Sequence, residues 1–157
     1  MEGAYKTTLA SITDLANLVG KELGVGPWML MTQDRINHFA DVTEDHQWIH
    51  IDDARAKEES PYGGTIAHGF LVLSLTPYLV GQTFSVEQRT MGINYGMDRV
   101  RFTNATKVGA NIRARVSLLE YNQIPRGAKF KMKVVVEIQG EEKPACIAEL
   151  ISLAYIE

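Results

Sequence analysis

An α+β domain, one apolar helix wrapped by a curved antiparallel sheet of about five strands, is the fold class this sequence predicts. Three observations predict it. Residues 65–80, "TIAHGFLVLSLTPYLV", are apolar nearly all the way round, as expected of a helix buried on every side. From about Gln88 onward the hydrophobic period changes from helical to two, which reads as consecutive half-buried strands. The 157 residues also contain no repeat, low-complexity tract or long linker, so a single core has to serve residues 1–157 as one domain.

In chain order, Ser11 is a candidate N-cap for a helix over "SITDLANLVGKEL" that aligns Ile12, Leu15, Ala16 and Val19 on one face. Residues 1–27 are thus expected as an N-terminal helical extension packed on the domain. "PWMLM" reads as a short strand. In "TQDRINHFADV", Thr32 caps a second short helix, with Asp34 in its first turn and Ile36, Phe39 and Ala40 facing inward. "DDARAKEES" is a polar helical turn, followed by a loop at Pro61, Gly63 and Gly64. Beyond the central helix, the strands are "TMGINYG", "DRVRF", "ANIRARVSLLEY", "KFKMKVVVEI" and a last one over roughly residues 145–155, with Pro125, Gly127 and Gly140 in turns. The edge of such a sheet needs covering, and edge-to-edge pairing of two copies covers it, so a homodimer is expected.

Composition excludes several classes of partner. The formal net charge is -3, so no general field draws in nucleic acid or anionic lipid. The single cysteine, Cys146, has no disulfide partner within the chain, in keeping with a reducing compartment. The N-terminus lacks a basic segment followed by an uninterrupted apolar one, and "GFLVLSLTPYLVG" is too short for a membrane span and is broken by Pro77. A cytoplasmic protein is expected.

Chemistry concentrates in "DVTEDHQWIH", residues 41–50. Asp45 and His50 are five positions apart, which turns them about 140° from each other on a helix and to opposite faces on a strand. They converge only on an irregular loop, where carboxylate and imidazole could hold a water between an acid and a base. Trp48 and Ile49 are large apolar residues that would pack such a loop onto the core, while Asp41, Glu44 and His46 read as bystanders. A metal is the other option, as Asp45, His46, His50 and His68 include good ligand types; adjacent positions 45 and 46 rarely both turn inward, however, and neither HExxH nor a cysteine cluster is present. No metal is expected. Further on, Gly69 stands in the first turn of the central helix, where an unpaired N–H could receive a carbonyl oxygen, or where glycine simply permits tight packing. His68 reads as a helix-start or packing histidine.

Taken together, "FADVTEDHQWIHIDDARA" and "SPYGGTIAHGFLVLSL" resemble the MaoC-like dehydratases, the family of the (R)-specific enoyl-CoA hydratases, whose motif Asp-x-Asn-Pro-(apolar)-His precedes a His-Gly pair. Asp45 and His50 match the motif's acid and histidine, and His68-Gly69 match the later pair. The variant "DHQWIH", with "INYG" and "KPACIAE", is most similar to the nodulation-protein-N-like branch. The resemblance implies a hot-dog fold, commonly dimeric, and reversible hydration of a trans-2-enoyl-CoA to an (R)-3-hydroxyacyl-CoA without metal or redox cofactor. It implies that His50 and Asp45 form the acid–base pair, and that the Gly69 N–H, with Gln47 and His68 nearby, serves the thioester oxygen and substrate. Gln47 and Trp48 depart from the motif's Asn-Pro: the amide sits on a longer arm, and the φ restriction of proline is lost. Arg99 and Arg101, on alternate residues, are candidate contacts for CoA phosphates, or a solvated strand face. Two other functions fit the same fold class: an acyl-CoA thioesterase in which Asp45 or Glu44 activates water, and a non-catalytic acyl-CoA-binding subunit.

Overall fold

The computed structural model describes residues 3–156. Eight strands form its sheet: β1 (Tyr5–Leu9), β2 (Glu22–Val25), β3 (Met29–Leu30), β4 (Phe84–Val86), β5 (Met91–Phe102), β6 (Asn111–Ile124), β7 (Gly127–Ile138) and β8 (Cys146–Tyr155). Their order is β4-β1-β2-β6-β7-β8-β5, with β3 on β6. The β1–β4 pair is parallel and the others are antiparallel. The three long antiparallel pairings are β5–β8, β8–β7 and β7–β6; these strands lie where the period-two pattern predicts strands, but "TMGINYG" and "DRVRF" run together as the single strand β5. Alternate residues of β6 and β7, among them Ile112, Ala114, Val116, Val134 and Val136, are fully buried against the helix.

The strand count exceeds the expected five because β1, β2 and β4 are each five residues or fewer, too short to show a period, while β3 is the short strand expected at "PWMLM". The N-terminal helix is also shorter than expected. It is a 3-10 turn, Ile12–Leu18, capped by Ser11 as predicted; Ile12 and Leu15 are buried, but Ala16 and Val19 are exposed. The segment 1–27 is therefore more than a helical extension, since β1 and β2 belong to the sheet; residues 1 and 2 lie outside the described part. Gly24 makes β2 possible, because a Cβ there would lie 2.1 Å from the carbonyl oxygen of Thr83.

The central helix is two segments, α4 (Gly69–Ser74) and α5 (Thr76–Gly81), joined through Leu75. Pro77 has no N–H for the Leu73 carbonyl, and the Thr76 hydroxyl donates to that oxygen instead, at 2.7 Å. The helix is not buried on every side. Phe70, Ser74, Pro77, Tyr78 and Gly81 form one exposed stripe, with Phe70 at 68% and Tyr78 at 57% exposure. Strand β5, at the sheet edge, exposes all its residues except the half-buried Val100.

The outer face of the sheet carries a charged ladder across β1, β2, β6 and β7. Tyr5 donates to Glu22 at 2.6 Å, Arg115 bonds Glu22 at 2.9 Å and Glu137 at 2.8 Å, and Arg113 bonds Glu137 at 2.6 Å. The guanidinium of the buried Arg113 lies 4.3 Å above the Trp28 ring. Burial opposes ionisation of Glu137, but bonds from Arg115 and Arg113 outweigh it and hold its carboxyl below the usual range. A depressed carboxylate stabilises the fold above its unfolded pKa of 4.5 and ceases to do so as pH falls through the folded value. Glu137→Gln should therefore cost about 2 kcal/mol at pH 7, because it removes the carboxylate that both Arg113 and Arg115 bond. In urea unfolding followed by Trp28 fluorescence, the gap between wild type and variant should close as pH is taken below about 4; a constant gap would refute the ladder's role.

Candidate active site

Residues 41–50 fold differently from a long loop. Helix α1 (Gln33–Thr43), capped by Thr32 as predicted, runs through the first three of them. Glu44 then takes a left-handed conformation at φ 61°, a position that favours glycine or asparagine, and turns the chain sharply. Residues 45–47 belong to no helix or strand, and α2 (Trp48–Ile51) is a single turn that buries His50. Next comes α3 (Asp53–Glu59), the polar helical turn, capped by Asp52. The irregular geometry demanded by the five-residue spacing is thus a left-handed kink between one helix and one turn of another.

This path brings Asp45, His50 and His68 together: one carboxylate or imidazole atom from each lies within 4.8 Å of the others. His50 is 6% exposed and His68 2%, whereas Asp45 is exposed. The Nδ1 of His50 is 2.7 Å from the carbonyl oxygen of Ile66. A carbonyl can only accept, so Nδ1 carries the proton and Nε2 is left as a bare lone pair. Burial pushes the His50 pKa down; the Ile66 carbonyl and the Asp45 charge oppose this, and His68 adds to it. The net direction keeps the ring neutral. His68 stacks on His50 with ring centres 3.7 Å apart, and its Nε2 donates to the backbone carbonyl of Asp45 at 2.9 Å.

Two groups that sequence reasoning missed fix His50 in place. The side-chain amide of Gln33 donates to the His50 carbonyl at 2.7 Å, and the Thr65 hydroxyl donates to the Gln33 oxygen at 2.5 Å. Gln33 offers no sequence signal beyond its place at the start of a predicted helix, and Thr65 offers none.

His50 and Gly69 line one cavity of about 330 Å³, whose wall includes Tyr62, Val72, Phe102 and Thr106. Gly69 opens α4 at its first position, where an N–H has no partner within the helix. The Phe102 ring covers its Cα, so a Cβ at Gly69 would meet that ring at 2.8 Å. Other predicted residues lie elsewhere. Gln47 is exposed at the N-cap of α2, where its side chain makes no capping bond. His46 pairs with Asp41 at 3.1 Å on the surface. Arg99 reaches Glu149 at 3.8 Å, and Arg101 folds back on the Val100 carbonyl. Both alternate with Val100 and Phe102, and so face away from the side of β5 that covers Gly69.

Asp45, His50 and His68 are ligand types for a divalent metal, and one such atom of each lies within 4.8 Å of the others. The two rings are stacked with planes 26° apart, so their in-plane lone pairs run side by side instead of converging.

The sequence matches the family described as MaoC like domain over residues 14–141. It is 43% identical over 145 residues to 3-hydroxyacyl-thioester dehydratase Z of Mycobacterium tuberculosis, covering 92% of this chain and 95% of that protein. It is 45% identical over 150 residues to nodulation protein N of Rhizobium leguminosarum bv. viciae, covering 91% and 90%. Among solved structures, the R-hydratase PhaJ1 of Pseudomonas aeruginosa superposes with a TM-score of 0.75 at 23% identity, covering 95% of this chain and 88% of that one. At that identity the likeness concerns the fold.

The cover over Gly69 makes a prediction independent of any reaction. Gly69→Ala should destabilise the protein by about 1–3 kcal/mol through overpacking against Phe102. Most of that cost should vanish in the background of Phe102→Ala, as measured by a double-mutant cycle in thermal unfolding. Additive costs would show that the Phe102 contact is not what requires glycine.

Proposed function

The chain belongs to the MaoC-like domain family, and on that premise we propose that it reversibly hydrates a trans-2-enoyl thioester of CoA to the (R)-3-hydroxyacyl thioester. The observation that supports this reading best is the fixed tautomer of His50. Its bare Nε2 belongs to a ring that lines the same cavity as Gly69, and the Asp45 carboxylate is no more than 4.8 Å from the histidine cluster. A water placed about 2.8 Å from each of two such groups fits that span.

The steps follow from these positions. His50 Nε2 accepts a proton from water as the water oxygen bonds to C3 of the enoyl group. The electron pair of the double bond moves onto the thioester, and the Gly69 N–H, at the positive end of the helix, stabilises the oxygen that gains charge. The proton taken by His50 passes to the Asp45 carboxylate and from it to C2, so that hydration leaves both side chains as it found them. Dehydration is the reverse. No metal enters these steps, and activity should survive exhaustive treatment with EDTA.

We place a second copy of the chain on the face formed by β5 and the open stripe of the central helix. A twelve-residue edge strand, paired to β8 on one side only and carrying Met91, Ile93, Tyr95 and Met97 beside exposed Phe70 and Tyr78, is a surface that a free chain would not keep in water. A homodimer results, with the Gly69 end of the site close to the interface. The lone buried Cys146 agrees with a reducing, cytoplasmic setting.

Three expected outcomes test this. Loss of the conjugated thioester absorbance should be seen with crotonyl-CoA or a longer trans-2-enoyl-CoA, and Asp45→Asn and His50→Gln should each lower kcat/KM by about 10²–10⁴-fold. Release of free thiol from a saturated acyl-CoA without hydration would favour a thioesterase instead. The acid limb of the kcat/KM profile should inflect below the ordinary histidine value of about 6.5, since the folded pKa of His50 is depressed and the base works only when neutral; an inflection above that value would argue against His50 as base. In sedimentation analysis wild type should be dimeric and Tyr78→Glu with Met97→Glu monomeric.

A further inference from the structure

His68 is the most deeply buried member of the cluster, at 2% exposure, and its position goes beyond what a packing residue requires. One ring face lies on His50 at 3.7 Å, and Phe39 closes the other side at 5.0 Å. The Nε2 donates to the Asp45 carbonyl across 23 residues of sequence. Its Nδ1 is buried with no hydrogen-bond partner among the described residues. A buried polar atom without a partner carries a cost that asks for an explanation. An apolar ring such as phenylalanine would fill the same space without that cost, so the donor at Nε2 is what the site retains histidine for.

That donor acts where the chain is otherwise loosely held. Asp45 lies just after the left-handed Glu44 and before α2, and its side chain is exposed. Among the described residues no other hydrogen bond is recorded to the Asp45 backbone carbonyl or carboxylate. The His68 ring is held against His50, which is fixed by Ile66 and Gln33. Through one hydrogen bond and one stack, His68 therefore couples the position of the acid to that of the base.

We propose that His68 is a positioning residue: its Nε2–H tethers the backbone of Asp45 so that the carboxylate stays in register with His50. This rests on the hydratase reading for its catalytic consequence, while the tether itself is a property of the fold. The tether needs a proton on Nε2, because the Asp45 carbonyl can only accept.

Two substitutions separate the donor from the ring. His68→Gln puts an amide N–H near the place of Nε2 and removes the aromatic stack; His68→Phe keeps an aromatic ring and removes the donor. With an enoyl-CoA substrate, His68→Phe should lower kcat by about 10–100-fold while changing KM little, the signature of a group displaced by about an ångström, and His68→Gln should recover most of the loss. Hydrogen exchange at residues 44–47 should accelerate in His68→Phe and not in His68→Gln, and nitrogen NMR of the wild-type ring should show Nε2 protonated and Nδ1 bare. Wild-type kcat in His68→Phe, equal impairment of the two variants, or unchanged exchange at residues 44–47 would overturn the proposal. Absence of turnover by wild type on every enoyl thioester would sink the hydratase reading alone, because exchange and NMR report the tether without substrate.

Discussion

The hydrogen bond from His50 Nδ1 to the Ile66 carbonyl is the interaction on which the rest of the site depends. It selects the tautomer, aims Nε2, and joins the turn that carries His50 to the segment that leads into Gly69. That segment is itself anchored on both sides: Ile66 N–H donates to Ile49, Ala67 N–H to Thr106, and Val108 N–H to Thr65. A short strand-like stretch thus serves as the reference for two functional groups, one on its own carbonyl and one at the start of the helix that follows. Because backbone groups buried in the core must find partners, these bonds also maintain the fold. The site inherits its rigidity from them.

The regions legible in sequence were those with long periods or strong caps. The long strands β5 to β8, helix α1 with Thr32 and the apolar run at α4 and α5 each repeat a pattern often enough to outweigh local noise. Strands β1, β2 and β4 do not, and Gly24 weakens the pattern of β2 because tertiary contact with Thr83, which no local rule reports, excludes a side chain there. The exposed stripe of Phe70, Pro77 and Tyr78 was illegible for a related reason. Composition records that a helix face is apolar; whether its own chain or another covers that face is not a local property.

The same division runs through the site. The spacing of Asp45 and His50 already required an irregular path, and the structure supplies one with a left-handed residue at Glu44. Their convergence with His68 and Gly69, 18 residues beyond His50 in the case of His68, depends on Ile66 lying against Ile49, a pairing between two segments with no repeating pattern. Gln33 was invisible because its partners are a backbone carbonyl and the hydroxyl of Thr65, which any sequence of suitable shape could provide.

Where the commoner motif has proline, this chain has Trp48, and the φ restriction that proline brings is gone. The structure replaces covalent stiffness with contacts. The Arg55 guanidinium lies 4.3 Å above the Trp48 ring, and Arg55 is itself held by Glu59 at 2.9 Å. His68 holds the Asp45 carbonyl, Gln33 holds the His50 carbonyl, and Asp52 N–H closes the turn onto Trp48. Restricting φ narrows the unfolded ensemble as well as the folded one, whereas contacts act only once the chain has folded. The variant loop therefore stays stiff only while its neighbours stay packed. Its precision is tied to α3 and to the His68 ring, where a proline would have kept part of it local to the loop.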